Sequence, residues 1–340
     1  MNILITSIGR RAYLVEYFKE ALHEQGKVFV SNSYPVYSFE LADGSFVSPY
    51  IYAENYISTL LEYCLANKIS VIFSVFDIDL VVLAKHKALF EQNGISLIVS
   101  DIDCITICND KYKTYTSLSE LNILSPKTCL DIAAATSALK KQEISFPLII
   151  KPRYGMGSLG IFEANNFEQM EFFYHYSEEI IQNTYVKYGT IFKDSSLVLI
   201  QEKIIGKEFG LDILNSLDGE FAACVAKEKL AMRSGESDRV RLCDNANFLP
   251  LAQKISASFK HIGNLDVDFI VTDENKIYLL EMNARFGGQY PFSHLAGVNF
   301  PLQIIKWLQG EKTDYSLLNY EKDIVLTKKL VPVRLRAAIE

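Results

Sequence analysis

Pro147-Leu-Ile-Ile-Lys151-Pro152-Arg153-Tyr-Gly155-Met156-Gly157-Ser158-Leu-Gly160-Ile161 reads as an apolar strand that ends on a lysine and runs straight into a glycine-rich loop. Glycine tolerates backbone angles that let successive N–H groups converge on an anion, and the lysine adds a positive charge beside them. Phosphate binding is one reading of this loop; a plain hairpin turn is the other. The lysine precedes the glycines, so the stretch does not match G-x-x-x-x-G-K-[ST], and no helical pattern follows at once. A P-loop kinase is therefore disfavoured. The first turn of the chain, Ser7-Ile-Gly9-Arg10-Arg11, lacks G-x-G-x-x-G, and no such fingerprint follows a strand elsewhere, so a dehydrogenase loses its main support.

Upstream of this loop, Ile3-Leu4-Ile5, the Ser7-Ile8-Gly9 turn and the apolar positions Leu14, Tyr17, Phe18 and Leu22 read as strand, tight turn and amphipathic helix. Strands at Lys27 to Ser31, Val71 to Val75 and Ser96 to Val99 follow, with helices at Ile57 to Ala66 and Leu80 to Phe90. Alternating helices and apolar strands predict a parallel, doubly wound sheet over residues 1 to about 105. Beyond Asn109 a helix from Lys111 to Leu121 leads to Ser125-Pro126 and to strand-rich segments bounded by glycines. Phe146 to Lys151 and Val198 to Ile205 are expected as strands around a helical Phe167 to Phe173 segment. Glu208 to Asn215, Phe221 to Lys227, Asp266 to Val271 and Ile277 to Glu281 are expected as antiparallel strands of an α+β unit, with Asp273 to Asn275 as the last turn. The tail from Thr313 carries only a weak strand signal at Leu330 to Leu335.

That last hairpin holds the second chemical signal. Asp266-Val-Asp268 and Glu281-Met-Asn283 on two strands joined by a short turn place Asp268 and Glu281 near one sheet edge, with Asn283 on the side of Glu281 by alternation. Three hard oxygen donors suit magnesium, which usually shares its shell with phosphate and water. A solvated acidic edge is the alternative, though apolar neighbours make unpartnered carboxylates costly there.

Composition narrows the classes further. The chain has 340 residues, 49% of them apolar, enough for two or three compact units. Its 34 basic against 41 acidic residues leave a net charge of −7, without the basic stripe of a nucleic-acid binder. No run approaches the roughly 20 apolar residues of a membrane span, and the N-terminus does not have a signal-peptide pattern. Six scattered cysteines, without histidines at zinc spacing, fit a cytoplasmic protein with reduced thiols.

Taken in order, Asp110-Lys111, Lys151 with its loop, Gln201-Glu202-Lys203-Ile204-Ile205-Gly206-Lys207-Glu208 and Glu281-Met-Asn283-Ala-Arg285 resemble the ATP-grasp superfamily, most closely single-module proteins similar to the ATP-grasp halves of the carbamoyl-phosphate synthase large subunit. The resemblance implies an α/β and α+β chain: a Rossmann-like pre-ATP-grasp domain over 1–110, a lid subdomain with its linking helix over 111–198, and a C-terminal subdomain carrying the metal site over 199–340. It further implies that Lys111 and Lys151 contact ATP phosphates, that the loop with Gly155, Met156, Gly157 and Ser158 closes over them, that Gln201, Glu202, Lys203 and Ile204 meet the adenine, and that Glu208 holds the ribose. Asp268, Glu281 and Asn283 would bind one or two Mg²⁺ ions, with Mn²⁺ able to substitute, and Arg285 would steady the transferred phosphoryl group.

Such a site would phosphorylate a carboxylate and let an amine displace the phosphate, with small-molecule substrates and a homodimer as the family-level assembly. Phosphorylation of bicarbonate or carbamate with a partner chain, and nucleotide binding without turnover, are the competing readings. For the substrate, Arg10 and Arg11 stand at the C-terminal end of the first strand, where ligands of open α/β sheets bind. Asp77 could orient an amine or cap the helix near Leu80. Arg233 lies where a substrate-facing loop is expected. Each of these can equally be an ordinary surface or structural residue.

Overall fold

The computed structural model describes residues 1–155, 159–184, 187 and 196–335. Five parallel strands, β1 (Asn2–Thr6), β2 (Val28–Asn32), β3 (Gly44–Val47), β4 (Ile69–Ser74) and β5 (Ser96–Ile98), form a sheet in the order β3-β2-β1-β4-β5. The two central strands β1 and β4 are apolar through most of their length because helices cover both faces. Helix Ala12–Leu22 returns the chain from β1 to β2, burying Leu14, Val15, Phe18, Ala21 and Leu22 at three- and four-residue spacing. The expected helix at 80–90 is two helices, Asp77–Lys85 and Lys87–Gln92, meeting at His86.

A second, antiparallel sheet contains β6 (Thr128–Cys129), β7 (Leu148–Pro152), β8 (Phe162–Ala164) and β9 (Val198–Glu202) in the order β6-β9-β7-β8. Its helix, Phe167–Asn183, starts where the Asn166 side chain accepts from Gln169 N and runs ten residues further than the sequence suggested. Strand β9, expected beside Phe146 to Lys151 around the Phe167 helix and cut by the 198/199 boundary that the resemblance implies, pairs with β7 and β6.

The third sheet is antiparallel: β10 (Lys207–Asn215), β11 (Phe221–Arg233), β12 (Glu236–Cys243), β13 (Gly263–Val271), β14 (Ile277–Asn283) and β15 (Val325–Thr327), in the order β14-β13-β10-β11-β12-β15. Strand β12 was not foreseen, and the tail contributes Val325–Thr327 rather than Leu330 to Leu335, which has no regular structure. The outer edge of β14 is not bare, since Leu279 N donates to Leu124 O at 2.9 Å.

Apolar packing divides the molecule unevenly. One core joins Leu4, Leu60 and Leu83 of the first unit to Leu211, Val267 and Met282 of the third. A second joins Ile3, Val30 and Phe73 to Leu214, Tyr290 and Phe300. The second sheet keeps a core of its own around Ile150, Met170, Ile181 and Ile200. Among the described residues no helix is long and apolar enough to cross a membrane.

Candidate active site

Asp110 sets one wall of the site. Its side chain caps helix Lys111–Glu120 by accepting from Tyr112 N and Lys113 N, and it also takes a bidentate pair from Arg153 at 2.8 and 2.7 Å and Tyr154 Oη at 3.1 Å. Lys111 N donates to Arg153 O, which draws the helix start against the end of β7. Lys111 Nζ therefore reaches Gly155 O at 2.6 Å and stands 3.9 Å from Glu281. The pairing of Asp110 with Lys111 in the sequence is thus a cap that aims a cation at the loop.

On β7, Lys151 is buried and donates to Gln201 Oε1 at 2.7 Å, while Gln201 Nε2 donates to Thr128 Oγ1 at 2.8 Å, so the amide orientation is fixed from both ends. Burial, and then the neighbouring charge of Lys111, brings the Lys151 ammonium down to about 8, against the opposing pull of Glu281. Gln201 and Glu202 end β9, and Lys203 and Ile204 follow as the connection to β10, where Glu208 sits near the start.

The opposite wall is the β13–β14 hairpin. Asp268 is the register partner of Glu281, and Asp266 of Asn283, so the three expected oxygen donors share one end of the hairpin with a third carboxylate, Asp266. Burial opposes charge on Glu281, but Lys111 and then Lys151 outweigh it and hold the carboxyl below its usual range. Asp268 is pushed up to about 7, chiefly by burial, with the attraction of Lys229 countering and the charges of Asp266 and Glu281 adding to the rise. Crowded carboxylates facing a cleft are what a divalent cation would relieve, so these donors fit Mg²⁺ in kind. Among the described residues no three His, Cys, Asp or Glu side chains converge as a metal cluster, so the set would be two carboxylates and an amide, completed by other ligands.

Between these walls lies a cavity of about 300 Å³. Lys111, Lys151, Gly155, Gln201, Glu202, Lys203, Ile204, Glu208, Asp268 and Glu281 all line it, with apolar Ile149, Leu159, Ile161, Met232 and Leu280. Met156, Gly157 and Ser158 lie outside the described residues. Asn283 sits two residues beyond Glu281 on the same strand and does not line the cavity.

Arg285 stands apart from it. Its guanidinium is buried, donating to Asp77 Oδ2 at 3.2 and 2.9 Å and to Asp266 Oδ2 at 3.3 Å, and so ties the end of β14 to the first unit. Asp77 is the first residue of its helix, which Phe76 precedes without a side-chain cap, so its carboxylate serves Arg285 instead of capping. Arg10 is 81% exposed and 3.7 Å from Glu236, which also pairs with Lys328 at 3.1 Å. Arg11 donates to Val75 O at 2.6 Å. Arg233 pairs with Asp238 at 2.9 Å on the β11–β12 hairpin. None of Arg10, Arg11, Asp77 and Arg233 lines the cavity.

Three residues of the site were not singled out from the sequence. Lys229 lines the cavity from β11, pairing with both Glu208 and Asp268 at 2.8 Å. Asp266 and Gln289 form a layer beneath Asp268: Gln289 Nε2 donates to Asp266 Oδ1 at 2.5 Å and to Asp268 Oδ1 at 3.2 Å. Gln289 can lie so close to the sheet because Gly210 has no side chain; a Cβ there would stand 1.7 Å from Gln289 Oε1. The period-two repeats Lys227-Glu-Lys229 and Asp266-Val-Asp268 carry a signal for two of them, since alternate strand residues share a face.

Comparison with known proteins agrees with this architecture. Residues 3–98 match the model of the PylC-like N-terminal domain, and residues 108–289, more than half of the chain, match that of the ATP-grasp domain. The carbamoyl phosphate synthase large chain of Thermoanaerobacter sp. (strain X514) is 26% identical over 235 residues, 65% of this chain and 20% of its own length. The arginine-specific large chain of Bacillus subtilis (strain 168) is 22% identical over 59% of this chain and 19% of its own. The chain thus spans about a fifth of the length of these curated relatives.

Among solved structures, the biotin carboxylase domain of the 2-oxoglutarate carboxylase of Hydrogenobacter thermophilus, in complex with MgADP, ADP and bicarbonate, superposes with a TM-score of 0.73 at 16% identity, covering 95% of this chain and 73% of that one. The L-amino acid ligase of Bacillus licheniformis does so with a TM-score of 0.73 at 16% identity, covering 98% and 81%. With a matching family model over most of its second and third sheets, the chain belongs to the ATP-grasp family of ATP-dependent ligases.

Proposed function

We propose that the protein joins a small-molecule carboxylate to an amine through an acyl-phosphate, using Mg-ATP. The observation that supports this reading is the meeting of Lys111 and Lys151 with Asp268 and Glu281 across one cavity of about 300 Å³, a volume in the range of small-molecule sites. In this reading Lys111 and Lys151 bind the phosphates, Glu202 to Ile204 meet the adenine edge, and Glu208 accepts from the ribose hydroxyls. Asp268, Glu281 and Asn283 would hold Mg²⁺, which, when bound, spreads charge from the phosphoryl oxygens.

A carboxylate oxygen attacks the γ-phosphorus in line as the bond to ADP breaks. The amine then attacks the acyl carbon, phosphate departs with the electron pair of the broken C–O bond, and the amine proton passes to solvent. Arg285 acts through Asp77 and Asp266 by holding the end of β14, and Arg10 and Arg11, at the C-terminal end of β1, are the proposed contacts for a substrate carboxylate.

Phosphate release from Mg-ATP in the presence of pooled amino acids, other carboxylates, amines or bicarbonate tests the proposal. Release that requires both a carboxylate and an amine is expected; release with bicarbonate and ammonia alone would point to the carbamoyl phosphate synthesis for which the curated relatives are named, and binding without release would leave a nucleotide-binding protein. Glu281→Ala should abolish release, by roughly a hundredfold or more, while the melting transition moves little, since the side chain is 35% exposed and fills no core volume.

A further inference from the structure

Lys229 has no part in the reaction just proposed, yet its position is as constrained as that of any residue in the cleft. Its side chain is 3% exposed, and its Nζ lies 2.8 Å from Glu208 Oε1 and 2.8 Å from Asp268 Oδ1. Those two oxygens come from the residues assigned above to the ribose and to the metal, so one ammonium bridges the two ends of the nucleotide site. Both partners are carboxylates, so the ammonium sits between two anionic groups at hydrogen-bond distance. Four acidic residues line the cavity, Glu202, Glu208, Asp268 and Glu281, and four lysines, Lys111, Lys151, Lys203 and Lys229, so among the described residues the formal charges of the lining balance, and the carboxylates there already have cations beside them.

We propose that Lys229 is a resident counter-cation that keeps a free divalent ion away from Asp268 until nucleotide arrives. The inference rests on the metal and nucleotide reading given above. A divalent ion binds a carboxylate oxygen at about 2.1 Å, and Asp268 Oδ1 already accepts a full positive charge, so a lone ion must displace the ammonium with nothing to receive it. A nucleotide changes both sides of that exchange. Its hydroxyls can satisfy Glu208, and its phosphates offer Lys229 a new anionic partner, so the carboxylate is released to the ion. Nucleotide and metal affinities are then coupled, each raising the other by the same factor.

The test is Mn²⁺ binding followed by electron paramagnetic resonance, without turnover, on the wild-type chain, Lys229→Met and Lys229→Arg, each with and without a non-hydrolysable ATP analogue. In the wild type the analogue should tighten Mn²⁺ at least tenfold. Lys229→Met should tighten nucleotide-free Mn²⁺ binding at least tenfold and shrink the effect of the analogue, whereas Lys229→Arg, which keeps the charge, should behave as the wild type. Equal nucleotide-free affinity in the wild type and a folded Lys229→Met overturns the proposal. So does a wild type that binds Mn²⁺ as tightly alone as with the analogue, a comparison that stands even if Lys229→Met does not fold. No Mn²⁺ binding under any condition would instead remove the metal set itself, and this inference with it.

Discussion

Lys151 titrates within reach of ordinary assay conditions, because burial and the nearby Lys111 bring its ammonium down to about 8. In the phosphate-binding role proposed above, Lys151 acts in its protonated form, which is present below that pH and lost above it. The dissociation constant of a fluorescent ATP analogue should therefore be flat below pH 8 and rise towards tenfold per unit above it. Lys151→Arg, whose guanidinium keeps its charge throughout, should flatten the rise. An unchanged pH profile in that variant would separate Lys151 from phosphate binding. That Lys151 and Glu281 stand out in the sequence follows from local order, a lysine ending a strand before glycines and oxygen donors two apart near a turn, and both line the cavity. Lys229, Asp266 and Gln289 carry at most a period-two hint in the sequence, since what sets them apart is partners on other elements: Glu208 and Asp268 for Lys229, and for Asp266 the Gln289 side chain, which reaches the sheet because Gly210 leaves it room.

At the scale of elements, the end of β14 depends on a contact no local pattern announces. Arg285 and Asp77 are 208 residues apart, and their side chains are only 7% and 10% exposed. Removing the arginine leaves Asp77 and Asp266 as buried charges without their main cation, so Arg285→Ala should lower unfolding free energy by about 3–5 kcal/mol. Pairing Arg285→Leu with Asp77→Leu should lose clearly less, because one stranded charge goes with the other. Urea unfolding of the three chains measures this; equal losses would mean that the ion pair does not carry the junction. The same long-range logic explains which elements escaped the sequence reading. Strand β12 alternates charged and apolar residues only over Arg239-Val-Arg-Leu242 and is polar throughout Glu236-Ser-Asp before it, a polar strand that takes its place from β11 and β15 on either side. The tail strand at Val325–Thr327 is too short to announce itself and exists because β12 offers a free edge.

For the whole molecule, the alternation of helices and apolar strands made the first sheet legible, and the glycine-bounded strands made the antiparallel remainder legible in outline. What the one-dimensional pattern could not show is which units share an interior. The first and third sheets are packed into common apolar cores, whereas β6 to β9 and their helices close around a separate one. Stability should be partitioned along that division. Amide exchange of β7 and β9 should report an opening free energy below that of β1, β4 and β13, which should exchange together as one cooperative block. Indistinguishable protection across all five strands would contradict it. The segment before β6 gives that partition a mechanical reading: Leu124 is stitched to Leu279 on the strand that carries Glu281. That tie anchors the start of the smaller unit to the strand bearing Glu281, so any rotation of one unit against the other would turn about a point next to that carboxylate instead of carrying it away.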